Sequence, residues 1–252
     1  MVAPLEVAEF LNKELNVAGT ADSSNNGLQV DADTEVEGVA FAVDAALEVF
    51  RQARKAGAGM VVVHHGISWK DSLKYITGIN FKRLEFLIKN NMALYAAHLP
   101  LDMHPRLGNN ARLASLLGLR KLKKFGYLEG APIGFSGELN NPNSVTQIAE
   151  RLGRALNARP KIYAFGNKKI KTVGIVSGNS NFAIEEAAAM GIDCFVSGEP
   201  RHGSYHDIKE HGLNVIYAGH YATETLGVRA LMPSIRKKFR VKTVFIDSPT
   251  GL

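Results

Sequence analysis

The sequence predicts an α/β fold of two related lobes, each a largely parallel sheet covered by helices. Two observations carry this reading. Short continuous apolar runs alternate with segments whose apolar residues recur at helical spacing, as expected for strands buried on both faces and the helices that cover them. The same order of elements then occurs twice along the chain. At 252 residues, 46% hydrophobic and 21% charged, the chain is long enough to bury a substantial core.

The opening segment, about Pro4 to Leu15, reads as a helix and is followed by a turn-rich stretch ending in Asn25-Asn26-Gly27. Strands are expected at Val39 to Val43, Met60 to Val63, Ala93 to Ala97, Val173 to Val176, Cys194 to Val196, Val215 to Ala218 and Val241 to Ile246. Between them, Ala45-Ala46-Val49-Phe50-Ala53, Leu84-Leu87-Ile88, Phe182-Ile184-Ala187-Ala188 and, less strictly, Leu226-Ala230-Leu231 follow helical spacing. Asn141-Pro142-Asn143-Ser144 marks the start of a further helix, within an added strand and helix from Gly134 to Ala158.

Each half reads strand, helix, strand with a polar end, helix, strand with a His-x-x-x-acid sequence. In the first half the polar ends are Val63-His64-His65-Gly66 and His98-Leu99-Pro100-Leu101-Asp102. In the second they are Ser197-Gly198-Glu199 and His220-Tyr221-Ala222-Thr223-Glu224. The repeat places one lobe at residues 1–127 and the other at 128–252, joined near Lys121 to Pro132, with the last strand free to pack back on the first lobe.

Ligands of parallel α/β sheets bind beyond the carboxyl ends of the strands, where these histidines and carboxylates gather. Gly66 allows a sharp turn that brings both His64 and His65 to one cleft. His220 and Glu224 suit one helix face. Pro100 argues against a helical Leu99, so Asp102 is expected to reach the cleft from a loop. Imidazoles and carboxylates without thiolates favour zinc, iron, manganese, cobalt or nickel over calcium, and the set suits two divalent ions in a cleft between the lobes. His64, His65, Asp102, His220 and Glu224 are the expected ligands; His98 reads as a further ligand, a donor behind one or a proton shuttle, Glu199 and His202 read as rim or substrate groups, and His98 or Glu199 is expected to handle protons. Asp44 is expected to cap the following helix. His206 and His211 are given no function. Ser177-Gly178-Asn179-Ser180 lacks both the dinucleotide and the P-loop patterns.

With these residues assembled, the chain resembles the NIF-three-like family, whose members often bear the name of type 2 homologues of GTP cyclohydrolase I. The matching motifs are the four polar strand ends above, His202, and Asn26-Gly27-Leu28-Gln29-Val30. The resemblance implies a dinuclear centre held by His64, His65, Asp102, His220 and Glu224, and a ring-like homohexamer whose inner cavity the metal sites face. The spacing of the halves matches the short form of that family, without the inserted domain of longer members.

Three functional classes follow. One is a metal-dependent hydrolase, cyclohydrolase-like, acting on a small nucleotide-like or other cyclic or amide substrate. The alternative is a metal-binding regulatory protein that contacts DNA or a transcription factor; metal delivery or storage is a third reading. The formal charge of +6 is spread along the chain, densest at Lys121-Leu122-Lys123-Lys124, Lys168-Lys169-Ile170-Lys171 and Arg236-Lys237-Lys238, and reads as solvated surface without a groove-reading motif. The single Cys194 lies in an apolar run, and there is no signal-like start or long apolar span. A cytoplasmic protein that does not enter membranes is expected.

Overall fold

The computed structural model describes residues 1–252. In chain order the elements are α1 (Pro4–Glu14), β1 (Gly27–Val30), β2 (Gly38–Asp44), α2 (Leu47–Lys55), β3 (Met60–His65), α3 (Gly78–Lys89), β4 (Ala93–Ala96), α4 (Leu99–Asp102) and α5 (Asn109–Leu117). They continue with β5 (Arg120–Leu128), β6 (Ala131–Asn143), α6 (Val145–Leu156), β7 (Lys161–Ala164), β8 (Ile170–Ile175), α7 (Ile184–Ala189), β9 (Cys194–Ser197), α8 (Tyr205–Glu210), β10 (Asn214–Tyr217), α9 (His220–Phe239) and β11 (Lys242–Phe245). Short 3-10 turns precede α7 and α8. No helix is long and apolar enough to cross a membrane.

By its internal contacts the chain forms two units. One is Met1–Leu101 with Gly227–Ser248; the other is Asp102–Leu226 with Pro249–Leu252. This corrects the expected division at 127/128, which falls inside β5. The stretch expected to join the lobes is instead the hairpin β5–β6, paired from Arg120↔Glu138 to Leu128↔Ala131. Its lysine-rich strand reads as a linker because alternation is weak there: residues 120–124 are all exposed, as suits a strand on a sheet edge.

The sheet of the first unit has the order β1-β4-β3-β2-β11, with only the β1–β4 pairing antiparallel. Its inner strands are the longest apolar runs because both faces are covered: every residue from Gly38 to Val43 and from Met60 to His64 is buried. The α2 helix buries Val49, Phe50 and Ala53 and leaves its charged residues outside. These join Val61, Val63, Leu87 and Leu94 in the core, where each large side chain contributes about 1.5–3 kcal/mol.

The second unit has the order β5-β6-β8-β9-β10-β7. Only β8–β9 and β9–β10 are parallel; the outer pairings are antiparallel, so the expectation of a largely parallel sheet holds there for the middle three strands alone. Leu113, Leu117, Ile148, Leu152, Val173, Val196 and Ile216 form its core. The helix α6 begins where the Asn-Pro-Asn-Ser run implies, with Ser144 and Gln147 closing a capping box.

The internal repeat is deeper than the sequence suggests. In each unit a helix and a short strand precede the three parallel strands, and that short strand pairs antiparallel with the third of them: β1 with β4, β7 with β10.

Candidate metal site

In the first unit the strand register places Asp44 beside His65 and Val63 beside Ala96, so His64, His65 and His98 follow the buried strands at their carboxyl ends. Each ring is held through Nδ1 by an oxygen. His64 Nδ1 lies 2.9 Å from the carbonyl of Ala97, His65 Nδ1 2.8 Å from Asp44 Oδ1, and His98 Nδ1 3.0 Å from Asp22 Oδ1. Carbonyl and carboxylate oxygens only accept, so each neutral ring carries its proton on Nδ1 and its lone pair on Nε2. The ring centroids are 4.6, 5.0 and 5.7 Å apart. One ligand atom from each of the three lies within 4.8 Å of the others. Trp69 packs beside the set, its ring 4.9 Å from that of His98, and its Nε1 donates to the carbonyl of Gly66 at 2.8 Å.

Three expectations are corrected here. Asp44 holds His65 and caps nothing; the residue before α2 is Ala46, without a side-chain cap. Gly66 is not in the left-handed region; a Cβ there would collide with Gln29 Oε1 and come within 2.6 Å of the Ala96 Cβ, so glycine provides room rather than a turn. Leu99 is helical, opening the single turn of α4, because Pro100 in a first turn has no amide partner to lose.

In the second unit His220 opens α9, and its Nε2 lies 3.3 Å from Glu224 Oε2 one turn on. Its Nδ1 lies 3.3 Å from Glu199 Oε1. The hydrogen bond to Glu224 outweighs the desolvation of the ring and, with the negative charge of Glu224 and Glu199, raises the His220 pKa to about 9. A site that holds a proton between two carboxylates has the charge to hold a cation. Glu224 is close against Gly178, whose φ of +61° is open to glycine and whose missing Cβ leaves room for Glu224 Oε1. Asp102 Oδ1 accepts from Asn109 Nδ2 at 2.8 Å and Ser177 Oγ at 3.1 Å. The backbone between these acids is pinned as well: Ser177 N donates to Asn110 Oδ1 at 2.7 Å, and Gly178 N to Thr223 Oγ1 at 3.1 Å. Asp102 and Glu224 are both buried.

The structure thus brings His64 and His65 together with His98, and His220 together with Glu224 and Glu199. Asp102 stands on the same Ser177–Gly178 turn that makes room for Glu224. His202 is exposed at the start of a 3-10 turn. Sequence reasoning missed Asp22, Asn109 and Asn110, and it placed Asn26 in a motif without giving it a role. In Asp22 burial raises the carboxyl pKa, but hydrogen bonds from His98, Asn26 and the Ser24 amide and the charge of His98 outweigh it and hold the pKa at about 2. Two of the chain's four Asn-Asn dipeptides, 25–26 and 109–110, supply the carboxamides, but nothing local separates them from 90–91 and 140–141, because what a buried carboxamide satisfies is set by packing.

A model of the family described as Duf34/NIF3 (NGG1p interacting factor 3) matches residues 4–251. A protein of Archaeoglobus fulgidus named GTP cyclohydrolase 1 type 2 homolog is 45% identical over 98% of both chains, and one of the same name from Pyrococcus abyssi is 47% identical over 98% of both. Among solved structures, protein ybgI superposes with a TM-score of 0.93 at 34% identity over the whole of both chains. TTHA1606 from Thermus thermophilus does so with a TM-score of 0.91 at 38% identity over the same span.

Proposed function

The chain belongs to the Duf34/NIF3 (NGG1p interacting factor 3) family, and from that premise we propose that it is a dinuclear metal protein acting as a metal-dependent hydrolase on a small nucleotide-like or other cyclic or amide substrate. The observation that carries the metal reading is the anchoring of three imidazoles by their Nδ1 atoms, which directs lone pairs rather than N–H groups to a common place. In this proposal His64 and His65 with Asp102, His220 and Glu224 hold two divalent ions. The donor chemistry fits zinc, iron, manganese, cobalt or nickel. A bound divalent ion supplies Lewis acidity to the bond that is broken. His98, its ring held by Asp22, and Glu199, beside His220, accept and return protons. The names of the relatives from Archaeoglobus fulgidus and Pyrococcus abyssi support a cyclic substrate.

The family resemblance also supports a ring of six copies, and the exposed Tyr75, Ile76, Ile79 and Ile88 supply apolar surface of the kind an assembly covers. Light scattering is expected to return six times the mass of one chain.

Elemental analysis of protein purified without chelator tests the metal reading, run beside the variant His64→Ala, His65→Ala. About two ions per chain in the parent, and their loss in the variant, are expected. A parent that neither contains nor takes up divalent ions sinks the hydrolase reading and leaves the regulatory one, which predicts steeply salt-dependent DNA affinity.

A further inference from the structure

We propose that Asp22 is the positioning residue of the histidine set, holding His98 in the Nδ1–H form with its Nε2 directed at His64 and His65. This rests on the metal reading above for its purpose, but its geometry stands alone. The side chain of Asp22 is 2% exposed and both of its oxygens are fully used. Oδ1 accepts from the Ser24 amide at 3.0 Å and from His98 Nδ1 at 3.0 Å. Oδ2 accepts from the Leu99 amide at 2.9 Å, from Asn26 Nδ2 at 2.9 Å, and from His98 Nδ1 at 3.1 Å. Asn26 closes the arrangement, its Oδ1 accepting the amide of His98 itself at 2.7 Å. The ring of His98 and the amides of both His98 and Leu99 are therefore gripped by two residues of the turn before β1.

A carboxylate placed only to cap the single turn of α4 would need the Leu99 amide and nothing more. The contact of Nδ1 with both oxygens adds what capping does not require. It fixes the ring's rotation, selects one tautomer, and strengthens the electron donation of Nε2, as carboxylates do behind metal-bound or proton-carrying imidazoles. Asp44 does the same for His65 from within the sheet, whereas Asp22 reaches His98 from outside the repeated strand and helix frame. The Asn26-Gly27-Leu28-Gln29-Val30 motif thereby acquires a physical role. Asn26 orients Asp22 and His98, and Gln29 Oε1 accepts the amides of Ile67 and Ser68 at 2.8 and 3.2 Å, fixing the turn after His64 and His65.

The test uses metal-free full-length protein labelled with 13C and 15N in histidine, at a pH where the rings are neutral. The His98 signals are assigned by their loss in His98→Gln. Long-range proton–nitrogen correlations of the wild type are expected to show Nδ1–H. In Asp22→Asn a carboxamide N–H faces Nδ1, so the ring is expected to shift toward Nε2–H. Wild-type protein with Nε2–H overturns the proposal whether or not the variant folds. So does a folded Asp22→Asn protein that keeps the parental tautomer. A wild type that shows Nδ1–H but takes up no cobalt keeps the positioning role and removes the metal reading instead.

Discussion

The two units share a strand and helix order but build their donor groups by opposite means. In the first, three imidazoles stand at the carboxyl ends of strands, and an oxygen behind each ring takes up its N–H and leaves the lone pair on the other nitrogen. In the second, one imidazole stands between two carboxylates, one at each ring nitrogen, and the charge of the acids suits the place to a cation. Duplicated topology therefore fixes where functional side chains appear, at the carboxyl ends of parallel strands, while the residues behind them decide their protonation. The support also differs in kind: side chains of a preceding turn in the first unit, and backbone pinned by Asn110 and Thr223 in the second.

The largest effect that tests this contrast comes from the two glycines beneath the donors. Gly66→Ala and Gly178→Ala both force a Cβ into an occupied place, at about 1–3 kcal/mol of overpacking. Gly178→Ala adds about 1–2 kcal/mol for a left-handed alanine, and it displaces Glu224. Denaturant unfolding is expected to rank Gly178→Ala as the more destabilised, and equal losses would mean that the φ of Gly178 relaxes without cost.

Acid and base should separate the units next. The folded-state pKa of His220 is raised from 6.5 to about 9, so in metal-free protein its stabilisation is complete below pH 6.5 and lost as pH rises through about 9. The upper limit is roughly 3 kcal/mol, reduced by partial solvent screening. Asp22 of the first unit runs the other way: its pKa is lowered from 3.8 to about 2, so its contribution is present above pH 3.8 and lost as pH falls through about 2. Urea unfolding from pH 5 to 10 is expected to show the alkaline loss in the parent and a flatter profile in His220→Asn. An unchanged slope in that variant would assign the loss to another group.

The smallest effect compares the helices that open the two repeats. The α6 helix has the Ser144–Gln147 capping box, whereas α1 follows Ala3 without a side-chain cap. Ser144→Ala is expected to cost about 1 kcal/mol and Ala3→Ser to gain a similar or smaller amount, read from denaturation midpoints.

Much of this protein was legible in the sequence. The apolar runs located the inner strands to within a few residues, since burial on both faces leaves a continuous signature that needs no partner to read. The histidine and carboxylate cluster was legible for a related reason: His64, His65 and His220 interrupt or end such runs, where a polar residue has little structural purpose. The antiparallel edges were not. The strands β1, β5 and β7 are short, exposed or lysine-bearing, and their pairing depends on a neighbouring strand rather than on their own periodicity.

By itself, then, the sequence determined the α/β class, the duplicated order of elements, the family and the position of the candidate donors, all properties of local pattern and spacing. Only the tertiary structure decided which residues stand behind those donors. Asp22 and Asn26 meet His98 across 76 and 72 residues, Asn110 meets Ser177 across 67, and Asp44 turns out to hold His65 instead of a helix. A hydrogen bond forms with whichever group the packed chain brings within about 3 Å, and no local pattern of residue types encodes that proximity.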